Sequence, residues 1–275
     1  MEYKLVADSC CDLTNELKQE WGVTSVPLTL TLAEKEFTDD DNLDLPQFMA
    51  EMKACKGRVG SAAPSPGSYA DAFKGANAFA VTLSSSLSGS YASAMSGKSI
   101  AEETGANVHV FDSRSAAAAE VLIVMKIRKL IHEGLQKPEI ITRVENFINE
   151  MRTFFVLDNI DNLLKNGRLN RITATIISTL HIRPIMGADR EGNISLVSHV
   201  QGWKSVVRKL ADTIEHVGRD TTGQSLVITH CNNPSLAEEL KAEIERRYHF
   251  SEILVLPTRG LSSLYANEKG VIMSF

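Results

Sequence analysis

Short apolar runs alternate with amphipathic helical stretches along nearly the whole chain, and this alternation is its strongest constraint on fold. Runs at 3–7, 26–32, 78–83 and 108–111 are separated by helical candidates at 14–21, 46–55, 69–74 and 90–103. Two longer helices follow at 116–133 and 138–151, the second with Ile140, Val144, Phe147 and Ile148 at helical spacing. Strands joined through helices run mainly parallel, in a sheet covered by helices on both faces. The four alanines at 116–119 read as nothing more than a helix opening.

Beyond residue 152 the pattern changes. A run at 153–157 precedes two short helices at 160–166 and 173–180. A hairpin follows at 182–186 and 194–197, turned by Asp189-Arg190-Glu191-Gly192. A helix at 205–217, a strand at 226–229, a helix at 235–248, a strand at 253–256, a helix at 261–267 and a last run at 271–275 complete the chain. The expectation is therefore an α/β protein of two domains. Residues 1–152 form a mainly parallel unit, and residues 153–275 form an α/β unit with some antiparallel strands.

Composition removes whole classes of function. The 275 residues carry a net charge of −5, without the basic face of a nucleic-acid binder. No stretch approaches the roughly 18 apolar residues of a membrane span. The N-terminus lacks the pattern of a signal peptide. Cys10, Cys11, Cys55 and Cys231 form no CxxC and no metal spacing, which suits a reducing cytoplasm.

Three apolar runs of the first half end in small polar or acidic groups: Asp8-Ser9, Ser84-Ser85-Ser86 and Asp112-Ser113. A parallel sheet gathers such ends at its carboxyl edge, where open α/β folds bind ligands. Taken singly, Asp12 and Ser113 read as helix caps. The densest segment, Leu83-Ser84-Ser85-Ser86-Leu87-Ser88-Gly89-Ser90, runs from a strand into a helix. Its hydroxyls and N–H groups suit a carboxylate or phosphate, and Gly89 would let a ligand approach the backbone. A plain polar turn with a cap is an equal reading. In the loop at 60–67, Ser65 reads as a cap and Ser61 has no evident local duty. At Lys165-Asn166-Gly167-Arg168 a helix ends in a left-handed turn, and Arg168 either braces the domain interface or faces an anion.

Sharper chemistries lack their motifs. GxSxG, Walker A, GxGxxG and HExxH are absent from the sequence. His230, after the run at 226–229, is a candidate general base, and Asp39-Asp40-Asp41 reads as a solvated loop rather than a metal cluster.

In order along the chain, several segments resemble the DegV family of bacterial fatty-acid-binding proteins. Asp8-Ser9-Cys10-Cys11-Asp12-Leu13 is similar to the family's D-S-x-x-D-L, and Ser61-Ala62-Ala63-Pro64-Ser65-Pro66 to T-S-x-P-S-P. Ser84-Ser85-Ser86-Leu87-Ser88-Gly89-Ser90 resembles S-S-x-L-S-G-T, and Asp112-Ser113 a later D-S. Leu164-Lys165-Asn166-Gly167-Arg168-Leu169 resembles L-K-G-G-R-I, and His181-Ile182-Arg183-Pro184-Ile185 resembles N-I-K-P-I. The resemblance implies two α/β domains with a long-chain fatty acid buried between them. Its carboxyl would be held by the Ser61 and Ser88 hydroxyls, supported by Gly89 and Ser90 N–H groups, with Ser84, Ser85 and Arg168 nearby. It also implies a separate fatty acid kinase that converts the bound acid to an acyl-phosphate. The chain itself would need no cofactor.

Three positions depart from that pattern. Ser61 replaces a threonine, Ala266 stands where H-x-G-P-G has its histidine, and Gln201-Gly202-Trp203 replaces an arginine-bearing segment that could face the kinase. The leading expectation is a fatty-acid carrier. The alternatives are a serine hydrolase or acyltransferase using the 84–90 cluster with His230, and a binding module for another small carboxylate.

Overall fold

The structure is a computed structural model that describes residues 3–169 and 182–275. The helix expected at 173–180, and His181, lie outside the described residues. The first half builds a parallel sheet from β1 (Lys4–Asp8), β2 (Val23–Val26), β6 (Asn77–Thr82) and β7 (Asn107–Asp112), in the order β2-β1-β6-β7. Alternate residues feed two cores. Leu5, Ala7, Phe79, Val81 and Phe111 pack on one face, while Val6, Ala78, Ala80, Val108 and Val110 pack on the other.

The second face is covered by α3 (Pro66–Phe73) and α4 (Ser90–Glu102). On the first face lies α5 (Ala118–His132), which also touches two strands of the second half, β11 (Ser225–His230) and β13 (Val271–Ser274). A helix between two sheets has no solvated face. Accordingly, every residue from Ala118 to Val124 is buried, Glu120 included. Outside it, α6 (Lys137–Glu150) keeps the amphipathic pattern, burying Ile140, Val144 and Ile148. Side-chain caps form where α1 (Asn15–Trp21), α2 (Leu45–Ala54) and α3 begin: Ser65 caps α3 as expected, Asp44 caps α2, and Thr14 rather than Asp12 caps α1.

The apolar run at 26–32 is two strands, not one. Pro27 cannot donate to a ladder, and the chain changes sheets there. β3 (Thr29–Leu32) joins β4 (Lys35–Thr38) and β5 (Val59–Ala62) in a small antiparallel sheet of order β4-β3-β5. Sequence patterning missed β4, which is largely exposed and charged, and β5, which holds a glycine. This small sheet holds Ser61 opposite Leu30.

The second half contributes six strands: β8 (Thr153–Val156), β9 (Ile182–Ala188), β10 (Ile194–Gln201), β11, β12 (Glu252–Pro257) and β13, ordered β10-β9-β8-β13-β11-β12. Among the described residues β11–β12 is the one parallel pair of this sheet, and the expected antiparallel strands make up the rest. β13 returns from the chain end to lie between β8 and β11, antiparallel to both. One face is covered by α8 (Val206–Val217) and α9 (Pro234–Arg247). The last helix, α10 (Gly260–Ala266), packs against α2 and α7 (Asp161–Lys165). No described strand before residue 153 pairs with one after it. Side chains nonetheless join the halves into one core, with Leu28, Leu83, Leu157 and Leu261 in a single cluster.

Candidate functional site

The strand ends of the parallel sheet do meet at one rim, and that rim contains its own anions. Asp8 accepts from the Cys10 N–H at 3.1 Å, the Leu83 N–H at 3.0 Å and the Ser90 hydroxyl at 2.6 Å. Asp112 accepts from both the N–H and the hydroxyl of Ser85, at 3.1 and 2.5 Å. Ser84 donates to the Gly192 carbonyl at 2.9 Å and Ser86 to the Glu191 carbonyl at 2.6 Å, tying the rim to the β9–β10 turn. Ser84, Ser85 and Ser90, expected around the head group, direct their hydroxyls to the protein's own acceptors, and the Ser90 N–H donates to Ser88 at 3.2 Å. Gly89 has a φ of −72°, which any residue can adopt, and a side chain there would meet only Ala63 at 3.8 Å.

Beneath the rim, Glu120 sits beside Asp8 and Cys10. Burial, reinforced by the charge of Asp8, pushes the Glu120 carboxyl well above its usual range. Burial also raises Asp8, against the bonds from Ser90 and Leu83. Both shifts have burial as their largest cause, which disfavours the charged form of each carboxyl.

Next to the rim, between the two halves, lies a cavity of about 110 Å³. On this measure one water needs roughly 10–15 Å³. Leucines 28, 83, 87, 157, 163 and 261 line it with Phe155, Ile194 and Ile272. Ala116 and Ala117 also line it, so two of the four alanines do more than open a helix. Ala117 holds a positive φ of 58° at the turn into α5. Among the described residues, no carboxylate and no histidine borders the cavity.

Several of its polar groups are already committed. Ser115 pairs with Thr153 at 2.7 Å, Thr153 with Ser274 at 2.9 Å, and Ser262 reaches the Cys10 carbonyl at 3.5 Å. Ser88 accepts from the Ser90 N–H at 3.2 Å, which leaves its own hydrogen free to donate. Ser61 shares a 3.0 Å hydrogen bond with the Tyr265 hydroxyl. Two hydroxyls joined by one bond keep one hydrogen over. The cavity thus combines an apolar wall with neutral donors and one bordering cation, Arg168, whose guanidinium is engaged by the Leu87 and Asn166 carbonyls.

Residues 2–272 match the sequence profile of the DegV family of uncharacterised proteins. The chain belongs to the DegV family. A DegV domain-containing protein of Streptococcus pneumoniae is 36% identical over 280 residues, covering 100% of this chain and 99% of its own. Among solved structures, a DegV family protein of Ruminococcus gnavus with vaccenic acid superposes with a TM-score of 0.92 at 32% identity, covering 99% of both chains. The Fatty Acid Kinase (Fak) B3 protein of S. pneumoniae loaded with linoleic acid gives 0.91 at 35%, covering 100% of this chain and 99% of that one.

In this DegV chain, Arg168 follows the expected left-handed turn at Gly167, whose φ is 72°. It braces the serine loop through a 3.1 Å bond to the Leu87 carbonyl and also borders the cavity. His230 accepts from the Asn233 N–H at 3.3 Å, and burial lowers its pKa. It does not border the cavity, so the hydrolase alternative lacks its base. Trp203 lies under the Arg183 guanidinium at 5.2 Å, so a cation stands beside the segment that lacks its own arginine.

The acidic run at 39–41 is solvated only in part, with Asp41 exposed and Asp40 half-buried. Asp39 is buried and accepts from the Gly260 and Leu261 N–H groups at 3.0 and 2.9 Å, capping α10 from outside. A Cβ on Gly260 would lie 2.3 Å from the Asp39 carboxyl, so only glycine allows this approach. Asp12 accepts from the Arg259 N–H at 2.8 Å just before the helix. Asn162 donates to the Leu264 carbonyl at 2.8 Å. These contacts fix α10, which carries Ala266 and Tyr265 to the cavity. Tyr265 is the residue that sequence reasoning missed: one tyrosine in an ordinary helix pattern carries no signal of its own.

Proposed function

We propose that this chain binds a long-chain fatty acid between its two halves, with the carboxyl at Ser61 and Ser88 and the acyl chain against the leucine-rich wall. The observation that carries this reading is the cavity, whose wall is apolar apart from neutral donors and the single cation Arg168. Each methylene moved from water into such a wall contributes roughly 0.8 kcal/mol. Two DegV relatives above 30% identity hold vaccenic and linoleic acid in their structures, which supports the same ligand class here. In this reading residues 1–152 form the domain that supplies the head-group hydroxyls, and residues 153–275 form the domain that covers the chain.

The protein acts as a cytoplasmic carrier that presents its ligand to a separate kinase for acyl-phosphate formation. The sequence has no nucleotide-binding motif, and the S. pneumoniae relative is itself a Fatty Acid Kinase (Fak) B3 protein. Arg168 supports presentation because it borders both the cavity and a groove where Lys53, Lys56, Arg58, Lys165 and Lys269 outnumber the acids Asp158, Asp161 and Glu268. Such a groove suits the anionic chemistry of phosphate transfer.

Native mass spectrometry of gently purified protein, followed by lipid extraction, tests the reading. The expected result is one straight-chain acid per chain. Protein that is empty and takes up no acid of about C14–C18 would overturn it.

A further inference from the structure

Ser61 and Tyr265 are 204 residues apart in sequence, yet their hydroxyls lie 3.0 Å apart in the cavity wall. Ser61 comes from the small sheet of the first half and Tyr265 from α10 of the second. A serine hydroxyl with no partner rotates freely and can point its hydrogen anywhere around the Cβ–Oγ bond. A fixed donor removes that freedom. When the Tyr265 hydroxyl donates to Ser61 Oγ, the serine hydrogen is left to donate elsewhere, and the cavity is the open side.

Tyr265 is itself firmly placed. Asp39 holds the first turn of its helix, and Asn162 holds the Leu264 carbonyl one residue before it. The neighbouring Ala266 side chain is a single methyl group that brings no donor to this wall. Tyr265 therefore supplies a polar group where the adjacent position supplies none.

The geometry points to Tyr265 as a positioning residue for the head group, donating to Ser61 so that Ser61 donates to the ligand carboxyl. With Ser88, this relay presents one hydroxyl hydrogen to each carboxylate oxygen. The inference rests on the fatty-acid reading and adds to it a residue and a direction of donation.

The test measures binding of palmitate and of hexadecanol, an alcohol of the same chain length, to wild type, Tyr265→Phe, Ser61→Ala and the double variant. Removing the phenol oxygen should weaken palmitate binding roughly three- to tenfold, the size of one neutral hydrogen bond. Hexadecanol binding should stay within about twofold, because the chain contacts are intact. The double variant should bind palmitate no worse than Ser61→Ala alone, because Tyr265 acts through Ser61. Wild-type palmitate affinity in Tyr265→Phe, an equal loss for acid and alcohol, or additive losses in the double variant would each overturn the inference. Wild type that binds no acid would overturn the fatty-acid reading and this inference together, so the two failures are distinguishable.

Discussion

The serine rim and the cavity wall are adjacent and both rich in hydroxyls, yet they do opposite work. At the rim, Ser85 and Ser90 donate to Asp112 and Asp8, while Ser84 and Ser86 donate to carbonyls of the β9–β10 turn. In the cavity, Ser88 keeps its hydrogen, and the Ser61–Tyr265 pair keeps one. Hydroxyl density therefore does not locate a binding site. What locates it is the donor left over once the protein's own acceptors are satisfied, and the rim holds two carboxylates that the cavity lacks.

This contrast makes the rim a matter of stability and the cavity a matter of affinity, and pH acts most strongly on stability through the buried carboxyls beneath the rim and at the start of α10. Burial raises Asp12 to about 7 and Asp39 to about 6, and drives Glu120 well above its usual range. An unfolded aspartate titrates near 3.8, so between about 4 and 7 the folded chain holds more protons than the unfolded one. Stability is fully present below about 4 and falls as pH rises toward 7, by an amount on the order of several kcal/mol. Thermal unfolding from pH 4.5 to 7.5 should show this fall, and Asp12→Asn should flatten it. A midpoint that rises over that range would refute the account.

Next in size is Asp8→Ala. It strands the Cys10 and Leu83 N–H groups and leaves the Ser90 hydroxyl without its carboxylate. The expected cost is about 3 kcal/mol or more, since each buried donor left unsatisfied costs roughly 1–3 kcal/mol. Urea denaturation checks it. Fatty-acid affinity per folded molecule should change far less.

Ser88→Ala inverts that pattern. A hydrogen bond to a charged group contributes about 1.5–3 kcal/mol, so retention of the acid should fall roughly ten- to a hundredfold. Ligand-free protein should lose only about 1–2 kcal/mol of stability, the cost of leaving the single Ser90 N–H without its acceptor, less than Asp8→Ala with its three stranded donors. Ligand competition and thermal unfolding on the same samples separate the two effects.

The alternation of runs and helices made the architecture legible, because a period of two or 3.6 survives in sequence when one face of an element is buried. The order of motifs also brought Ser61 and Ser88 forward. What remained hidden depends on pairing across long separations. β13 inserts between β8 and β11, Asp39 caps α10 from 221 residues away, and Tyr265 finds Ser61 over 204. Serines 84, 85 and 90 misled for the same reason. Their acceptors lie on other strands and on a distant hairpin, so the local pattern showed donors without showing what they meet.

The smallest effects divide the rim itself. Ser84 is fully buried, and its partner is the carbonyl of Gly192, a residue whose φ of 81° sets the β9–β10 turn. Ser84→Ala should cost about 1–2 kcal/mol, because it leaves that carbonyl without its donor. Ser85 is exposed, and Asp112 still receives the Ser85 and Arg114 N–H groups when the hydroxyl is gone. Ser85→Ala should therefore cost no more than about 0.5 kcal/mol, which solvent readily offsets. Neither change should alter fatty-acid affinity by more than about threefold, on the order of 0.6 kcal/mol. Chemical denaturation of both variants beside wild type, with palmitate titrations, gives all four numbers. A large affinity loss from Ser85→Ala would place the head group at the rim after all, and the division between structural and ligand-facing serines would have to be redrawn at Asp112.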